Sequence, residues 1–353
     1  MKPQKIGDYS VRKLVEVVDY LSPEFAFIEY DEFKCKDYLK WLSPYFMTSS
    51  IEGINLLFSF HSFVIEGNNK TILIDTCIGN HKERGALPSW HNQNRPYIDN
   101  LRSMGIETKD IDYVMCTHLH ADHVGWNTQL IDGSWVPTFP NAKYIFSNID
   151  YQKHDLIYKN RSKLNDQNPQ PGEGDFYESW EDSIIPIINS GKYELVDYDF
   201  SIDDSLSIIH TPGHTPGHYC VNLKSRGEQA FFTGDMMHHP LLVSEPEWVT
   251  HFCLDPRQSS ITRKKFIDNN YSKDEISLLT KTISRQVDDI GKLVDEFSSF
   301  ARMPEAEIKL DNLTQCLEES YHLYFNSRKD IKLIFKKTEK DIFFQFDKLQ
   351  ISR

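Results

Sequence analysis

The spacing of apolar and polar positions along the chain separates strands from helices. The stretch INLLFSFHSFVIEG, residues 54–67, alternates and is rich in Phe and Ile. It turns at Gly67-Asn68-Asn69 into KTILIDT, which predicts a β-hairpin. RPYIDNLRSMGI predicts a helix stopped at Gly105, followed by a short buried strand, DYVMCT, that runs into THLHADHVG. NAKYIFS reads as another strand, after which Asn148 can cap a helix through Tyr158. LSIIHT, HYCVNLKS and QAFFTG are three more strands separated by turn residues, and a further helix follows Asp255-Pro256. Residues 159–175 are polar and punctuated by Pro and Gly, as a loop is. Strands interrupted by single helices, with alternation on many of them, predict two sheets covered by helices.

The period changes near Asn269-Asn270. Ile276, Ile283, Ile290 and Phe297 are seven apart, and Thr280, Val287, Val294 and Ala301 form a second seam, up to Pro304. This heptad pattern predicts a long coiled-coil-type helix over residues 276–301 and a domain boundary before it. Its apolar seam needs a partner helix, and a homodimer through this helix is one way to supply it.

Composition is that of a folded globular chain: 39% apolar, 13% aromatic and 26% charged residues. The net charge of −13 sits almost wholly in the first 270 residues, with 37 acidic against 25 basic side chains. An acidic body argues against nucleic acid or an anionic membrane as partner. No apolar run approaches the ~20 residues that span a bilayer. The N-terminus shows no secretory pattern, and the six cysteines are scattered without a CxxC pair, so a cytoplasmic location is expected.

Candidate chemistry is concentrated in three places. THLHADHVG packs three histidines and an aspartate into residues 118–123. Imidazole nitrogen and carboxylate oxygen are ligands that zinc and its neighbours accept. His118 and His120, two apart, point the same way on an extended segment, whereas Asp122 and His123 can aim at a second point where the chain turns into a helix. HTPGHTPGH offers His214 between two Pro-Gly turns, with His210 and His218 read as parts of those turns. FFTGDMMHH places Asp235 at a strand end, where a carboxylate can bridge two cations. No GxSxG motif and no Cys–His motif supports a serine or cysteine hydrolase.

Taken in order, ILIDT, THLHADH, TPGHTPG and TGD resemble the metallo-β-lactamase superfamily of metal-dependent hydrolases over about residues 53–255. The resemblance implies an αβ/βα sandwich with a dinuclear site, usually zinc, at one edge of the sheets. By motif, His118, His120 and His214 would bind one metal ion, Asp122 and His123 a second, and Asp235 would bridge them. Asp75 would support the site without ligating. GWNT…GSWVPTFPNAKYIFS resembles the lactonase and esterase-like branch, so the expected function is hydrolysis of a small-molecule lactone or ester. A water made acidic by two divalent ions, most readily Zn2+, would supply the hydroxide that attacks the carbonyl. Asp122 would then be both ligand and orienter of the nucleophile. His238 would either donate to the leaving alkoxide or support the site. The substrate pocket is expected among loops such as residues 127–140 and the N-terminal segment.

One expected ligand is missing. The superfamily places a late histidine after a final helix and strand, but here the chain changes into the heptad segment. His238, His239 or His251 could substitute, and His322 is not expected to. ISRQVDDIGKLVDEFSSFARMPE resembles the second dimerisation helix of sensor histidine kinases, and EIKLDNLTQCLEESYHLYF onwards the opening of their ATP-binding domain, an α+β fold. The expected organisation is thus a hydrolase domain over residues 1–269 that lacks its C-terminal end, a dimerisation-type helix over 270–304, and a truncated kinase ATP-binding domain over 305–353. No HExxNP-like phospho-acceptor box occurs, so autophosphorylation is not expected. The alternative to a working hydrolase is a catalytically impaired chimera with a degraded second metal site.

Overall fold

The computed structural model describes residues 3–51, 53–85, 87–160, 176–270, 308–327, 334, 336 and 340–348. The expected helix over 276–301, the dimer contact through it and most of the expected loop 159–175 lie outside the described residues. The chain divides into two units, Met1–Ser284 and Arg285–Arg353.

The first unit is built on two sheets. The larger contains β1 (Gln4–Ile6), β2 (Tyr9–Leu21), β3 (Met47–Ser50), β4 (Gly53–Gly67), β5 (Lys70–Ile74) and β6 (Tyr113–Met115). A separate hairpin, β7 (Thr128–Ile131) and β8 (Ser134–Pro137), precedes its last two strands, β9 (Lys143–Ser147) and β10 (Tyr193–Val196). The strand order is β1-β2-β4-β5-β6-β9-β10, with β3 also paired to β4. From β5 to β10 the pairing is parallel; the rest is antiparallel. The second sheet is an antiparallel meander of β11 (Leu206–His210), β12 (Tyr219–Ser225) and β13 (Glu228–Phe232).

Alternation along the strands explains why these sheets stack. Val64, Leu73, Val114 and Tyr144 face one side, where they pack with Tyr97 and Leu101 of helix Tyr97–Ser103 and with Trp180 and Ile184. Their neighbours Ile65, Ile72, Ile74, Met115 and Ile145 face the other side, against Leu206, Ile208, Val221, Leu223 and Phe232 of the second sheet. Each such buried side chain is worth about 1.5–3 kcal/mol. The outer face of the second sheet places Cys220 and Phe231 with Phe266 of helix Pro256–Asn270. Helices, sheet, sheet and helix form the expected αβ/βα layering.

The β4–β5 hairpin turns where expected, with Asn68 and Asn69 at φ +51° and +54°. Two positive φ values in a two-residue loop are the I′ geometry, which Asn tolerates.

The N-terminal region, to which the sequence pattern assigned no elements, is ordered into β1, β2 and two helices, Pro23–Ala26 and Glu32–Leu42. These cover a subsidiary core that includes Phe27, Cys35, Leu42, Met47, Leu56, Phe58 and Trp248. A bulge in the β2–β4 pairing falls between Val15 and Val17, so Glu16 leaves the ladder. Its carboxylate accepts from the backbone of Ile78 (2.8 Å) and Gly79 (3.2 Å) and from Trp126 Nε1 (2.9 Å).

In the second unit, β14 (Lys309–Asn312) leads into helix Leu313–Ser327 and pairs antiparallel with β15 (Phe343–Phe346). Among the described residues no helix is long and apolar enough to cross a membrane. All six cysteines are buried and unpaired.

Candidate metal centre

THLHADHVG follows the C-terminal end of β6, an interior strand of the first sheet. Asp75 Oδ1 accepts from the backbone of Thr117 (2.7 Å), and Asp75 Oδ2 accepts from the Thr117 hydroxyl (3.0 Å). With its own proton committed to Asp75, Thr117 Oγ1 can only accept from His118 Nδ1, 3.1 Å away. This relay fixes the His118 tautomer and leaves Nε2 with a lone pair facing inward. At His120 the chain enters a one-turn helix, Ala121–Val124, which redirects Asp122 and His123. Gly125 closes the segment because a side chain there would strike the Ile78 carbonyl.

The second sheet supplies the other donors. His214 lies in the turn between β11 and β12, and Asp150 of helix Asn148–Asn160 holds that turn. Asp150 accepts from Thr215 Oγ1 and from the backbone of Gly217, both at 2.6 Å. Asp235 follows β13. Its backbone N–H donates to His218 Nε2 (3.1 Å), so His218 carries its proton on Nδ1, facing Thr211 Oγ1 at 2.8 Å. His218 is therefore more than a turn residue, because it supports Asp235. His210 does hold the turn, donating to the Pro216 carbonyl at 2.8 Å. A backbone bond from Tyr219 N to Thr117 O, 3.0 Å, joins the two sheets beside these residues.

Six side chains from the two sheets thus converge. His118 Nε2 is 3.0 Å from His214 Nε2, which is 2.8 Å from His120 Nδ1. Asp235 Oδ2 lies 3.2 Å from His214 Nε2 and 3.8 Å from His118 Nε2. Its other oxygen, Oδ1, lies 3.2 Å from His123 Nε2, which is 3.4 Å from Asp122 Oδ2. Two donor groups result, His118–His120–His214–Asp235 and Asp122–His123–Asp235, each within 4.8 Å. With bonds of about 2.1 Å, the edges of a tetrahedral zinc site are about 3.4 Å, so these separations fit divalent ions. Inward nitrogen lone pairs about 3 Å apart repel one another unless a cation lies between them. The four-donor group therefore fits an ion better than a purely hydrogen-bonded cluster, and Asp122, His123 and Asp235 form a second candidate group beside it.

Asp75 stays beside the centre, 3.0 Å from His123 Nδ1. His238 Nε2 is 3.1 Å from Asp235 Oδ2, on the side of the four-donor group. Of the other histidines considered as a replacement ligand, His239 turns away to the Phe46 carbonyl at 2.8 Å. His251 is exposed and belongs to neither group. The side chain of His322 lies outside the described residues. Among the described residues, the second group keeps three donors.

In the four-donor group the charge states suit ligation, whereas His123 keeps a proton until an ion displaces it. Burial holds His118 and His214 well below the ordinary imidazole range and His120 down at about 3, so all three are neutral donors. For His123, burial acts the same way but is outweighed by Asp235, Asp122 and Asp75, which raise it. Asp235 is pushed up by burial but held ionised, well below the carboxylate range, by His123, His238 and His214.

A cavity of about 560 Å³ opens over both groups. Its walls are mainly aromatic and aliphatic, from Leu21 and Phe25 of the N-terminal region, Phe58, Phe60 and Phe63 of β4, Leu87 and Trp90 of the loop after β5, and Phe252. The N-terminal segment lines it as expected, but residues 127–140 do not. They form the β7–β8 hairpin, where Thr128 and Trp135 contact Lys82 instead. Glu16, Asp150 and His218 were not singled out from the sequence as supports.

Comparison with known proteins follows the same residues. The metallo-beta-lactamase superfamily pattern matches residues 59–276. An N-acyl homoserine lactonase from Bacillus sp is 26% identical over 175 residues, 46% of this chain and 57% of that protein. The chain thus spans little more than half the length of that relative. The crystal structure of hydrolase AbOPH, in the beta lactamase superfamily, aligns with a TM-score of 0.60 at 26% identity, covering 76% of this chain and 85% of the other. AidC, a dizinc quorum-quenching lactonase, aligns at 0.57 and 20% identity over 76% and 85%, a likeness of fold.

Proposed function

The chain belongs to the metallo-β-lactamase superfamily, and from that premise we propose that it is a metal-dependent hydrolase opening a small lactone or ester over a dinuclear zinc centre. The observation that carries this reading is Asp235, whose two oxygens each face a different donor group at 3.2 Å. Bound divalent ions, held by His118, His120, His214 and Asp235 and by Asp122, His123 and Asp235, would polarise the carbonyl and acidify a water. The protein's part is to place them. Asp235 sets the spacing of the two groups, and the Asp75–Thr117 relay holds His118 in its donor tautomer. Asp122, with a carboxylate beside His123, orients the attacking water. For His238, the 3.1 Å separation from Asp235 Oδ2 favours steadying the bridging carboxylate over donation to the leaving alkoxide. The three-donor group borders the cavity, where substrate and water have access to it. Aromatic walls suit an apolar acyl chain, and the N-acyl homoserine lactonase relative supports a lactone as the bond opened.

Elemental analysis of purified protein, run beside a chromogenic lactone assay, tests this. Close to two ions per chain are expected, with at least one lost in His214→Ala and in Asp122→Ala and turnover falling at least 100-fold in each. Close to one ion, kept in Asp122→Ala, together with no turnover, overturns the dinuclear hydrolase. That result would favour the alternative, an impaired chimera whose residues 270–304 and 305–353 derive from a histidine kinase.

A further inference from the structure

β4 carries one polar ring into the apolar wall of the cavity. His61 lies among the lining residues with Ser59 and Phe63, its ring edge-on to Phe63 at a centroid distance of 4.8 Å. His61 Nδ1 is 2.6 Å from the Ser59 carbonyl. A carbonyl oxygen only accepts, so the proton of the neutral ring sits on Nδ1 and Nε2 is left as a bare acceptor.

Three uses of such a nitrogen can be weighed. As a general base it would be poor, because burial pushes His61 down to about 3, far below the working range of a proton acceptor. As a metal ligand it is misplaced, since neither donor group includes it. As a hydrogen-bond acceptor for a ligand it is well placed. Among Phe58, Phe60, Phe63 and Ile74, a convergent polar atom gives that part of the wall direction. A bare acceptor also penalises any ligand that covers it without donating.

We propose that His61 is a specificity-determining residue that accepts a hydrogen bond through Nε2 from an amide N–H or hydroxyl on the acyl side of the substrate. This rests on the lactone or ester reading and narrows it to substrates that carry a donor close to the scissile carbonyl. Ser59 fixes which nitrogen is free through its backbone carbonyl.

The test uses the zinc-loaded full chain and a matched pair of probes. These are the ring-opened product of an N-acylamino γ-lactone and its N-methyl twin, which lacks the donor. Calorimetry gives Kd for each on wild type, His61→Phe and His61→Gln, and metal content is measured on all three. Wild type is expected to bind the N–H probe about tenfold more tightly than its twin, the scale of one buried hydrogen bond. His61→Phe should abolish that preference, and His61→Gln, which keeps an acceptor oxygen, should restore part of it. Metal content should not change. A preference that survives in His61→Phe, loss of metal in that variant, or no binding of either probe overturns the proposal. Turnover of the parent lactones by the same samples decides the hydrolase reading separately. Binding with the expected preference but no turnover sinks the hydrolase and leaves His61; turnover with an unchanged preference does the reverse.

Discussion

Thr117 sets the orientation of the first imidazole in the centre, because its hydroxyl donates to Asp75 and accepts from His118. In Thr117→Val the shape is kept, but His118 Nδ1 loses its acceptor and Asp75 a donor. Metal affinity should fall about 10- to 100-fold, the usual consequence of removing a partner that orients a ligand. Competition with a chromogenic chelator measures it, and an unchanged affinity would mean that packing alone orients His118. Glu16 works further out, satisfying two backbone N–H groups and one indole. Glu16→Ala leaves three donors without their acceptor and should cost about 2–3 kcal/mol in urea unfolding. The residues of the two donor groups were legible in the sequence, since HxHxDH, a histidine between Pro-Gly turns and a strand-end Asp are local patterns. Glu16 and Asp150 were not, because their partners are 62 and 65 residues away in the chain and meet them only after folding.

At the scale of elements, the turn between β11 and β12 depends on helix Asn148–Asn160. Asp150 is buried beneath it, and burial raises its carboxyl to about 6, opposed by the hydrogen bonds from Thr215 and Gly217. A carboxyl with a folded pKa above its unfolded value holds its proton longer in the native state. Its stabilising contribution is therefore present below about pH 4 and lost as pH rises to about 6, by roughly 2–3 kcal/mol. Asp150→Asn cannot titrate, so the difference in unfolding free energy between wild type and variant should change by that amount across pH 4–6. A constant difference would place Asp150 in the ordinary carboxylate range. The hairpin at Asn68-Asn69 and strands β6, β9, β11, β12 and β13 were legible because apolar runs and turn residues coincide there, whereas β7, β8 and β10 were not assigned from the sequence. β2 was not, since VRKLVEVVDYL mixes charge with apolar runs. Its strand character comes from eleven paired positions on β4, interrupted at Glu16.

At the scale of the whole unit, a buried ion cluster ties the loop that walls the cavity to the helical layer. Arg84 binds Asp182 through both terminal nitrogens, at 2.8 and 3.1 Å. Lys82 lies 3.4 Å from the same carboxylate and 3.6 Å over the Trp135 ring. Both cationic side chains are fully buried. Asp182→Ala would strand the two of them, at a cost of about 3–5 kcal/mol. Urea unfolding reads that loss, and Lys82→Met with Arg84→Met in the same background should recover much of it. The two-sheet architecture also decides how the centre relates to stability. His118, His120, Asp122 and His123 extend from one sheet, His214 and Asp235 from the other. Ions held there act as rivets through the laminate, and delamination must release them. Unfolding thereby becomes a gauge of free metal. At a concentration a hundred times Kd, a single ion raises the unfolding free energy by about 2.7 kcal/mol, so a melting curve recorded against a zinc buffer series would report occupancy without any substrate.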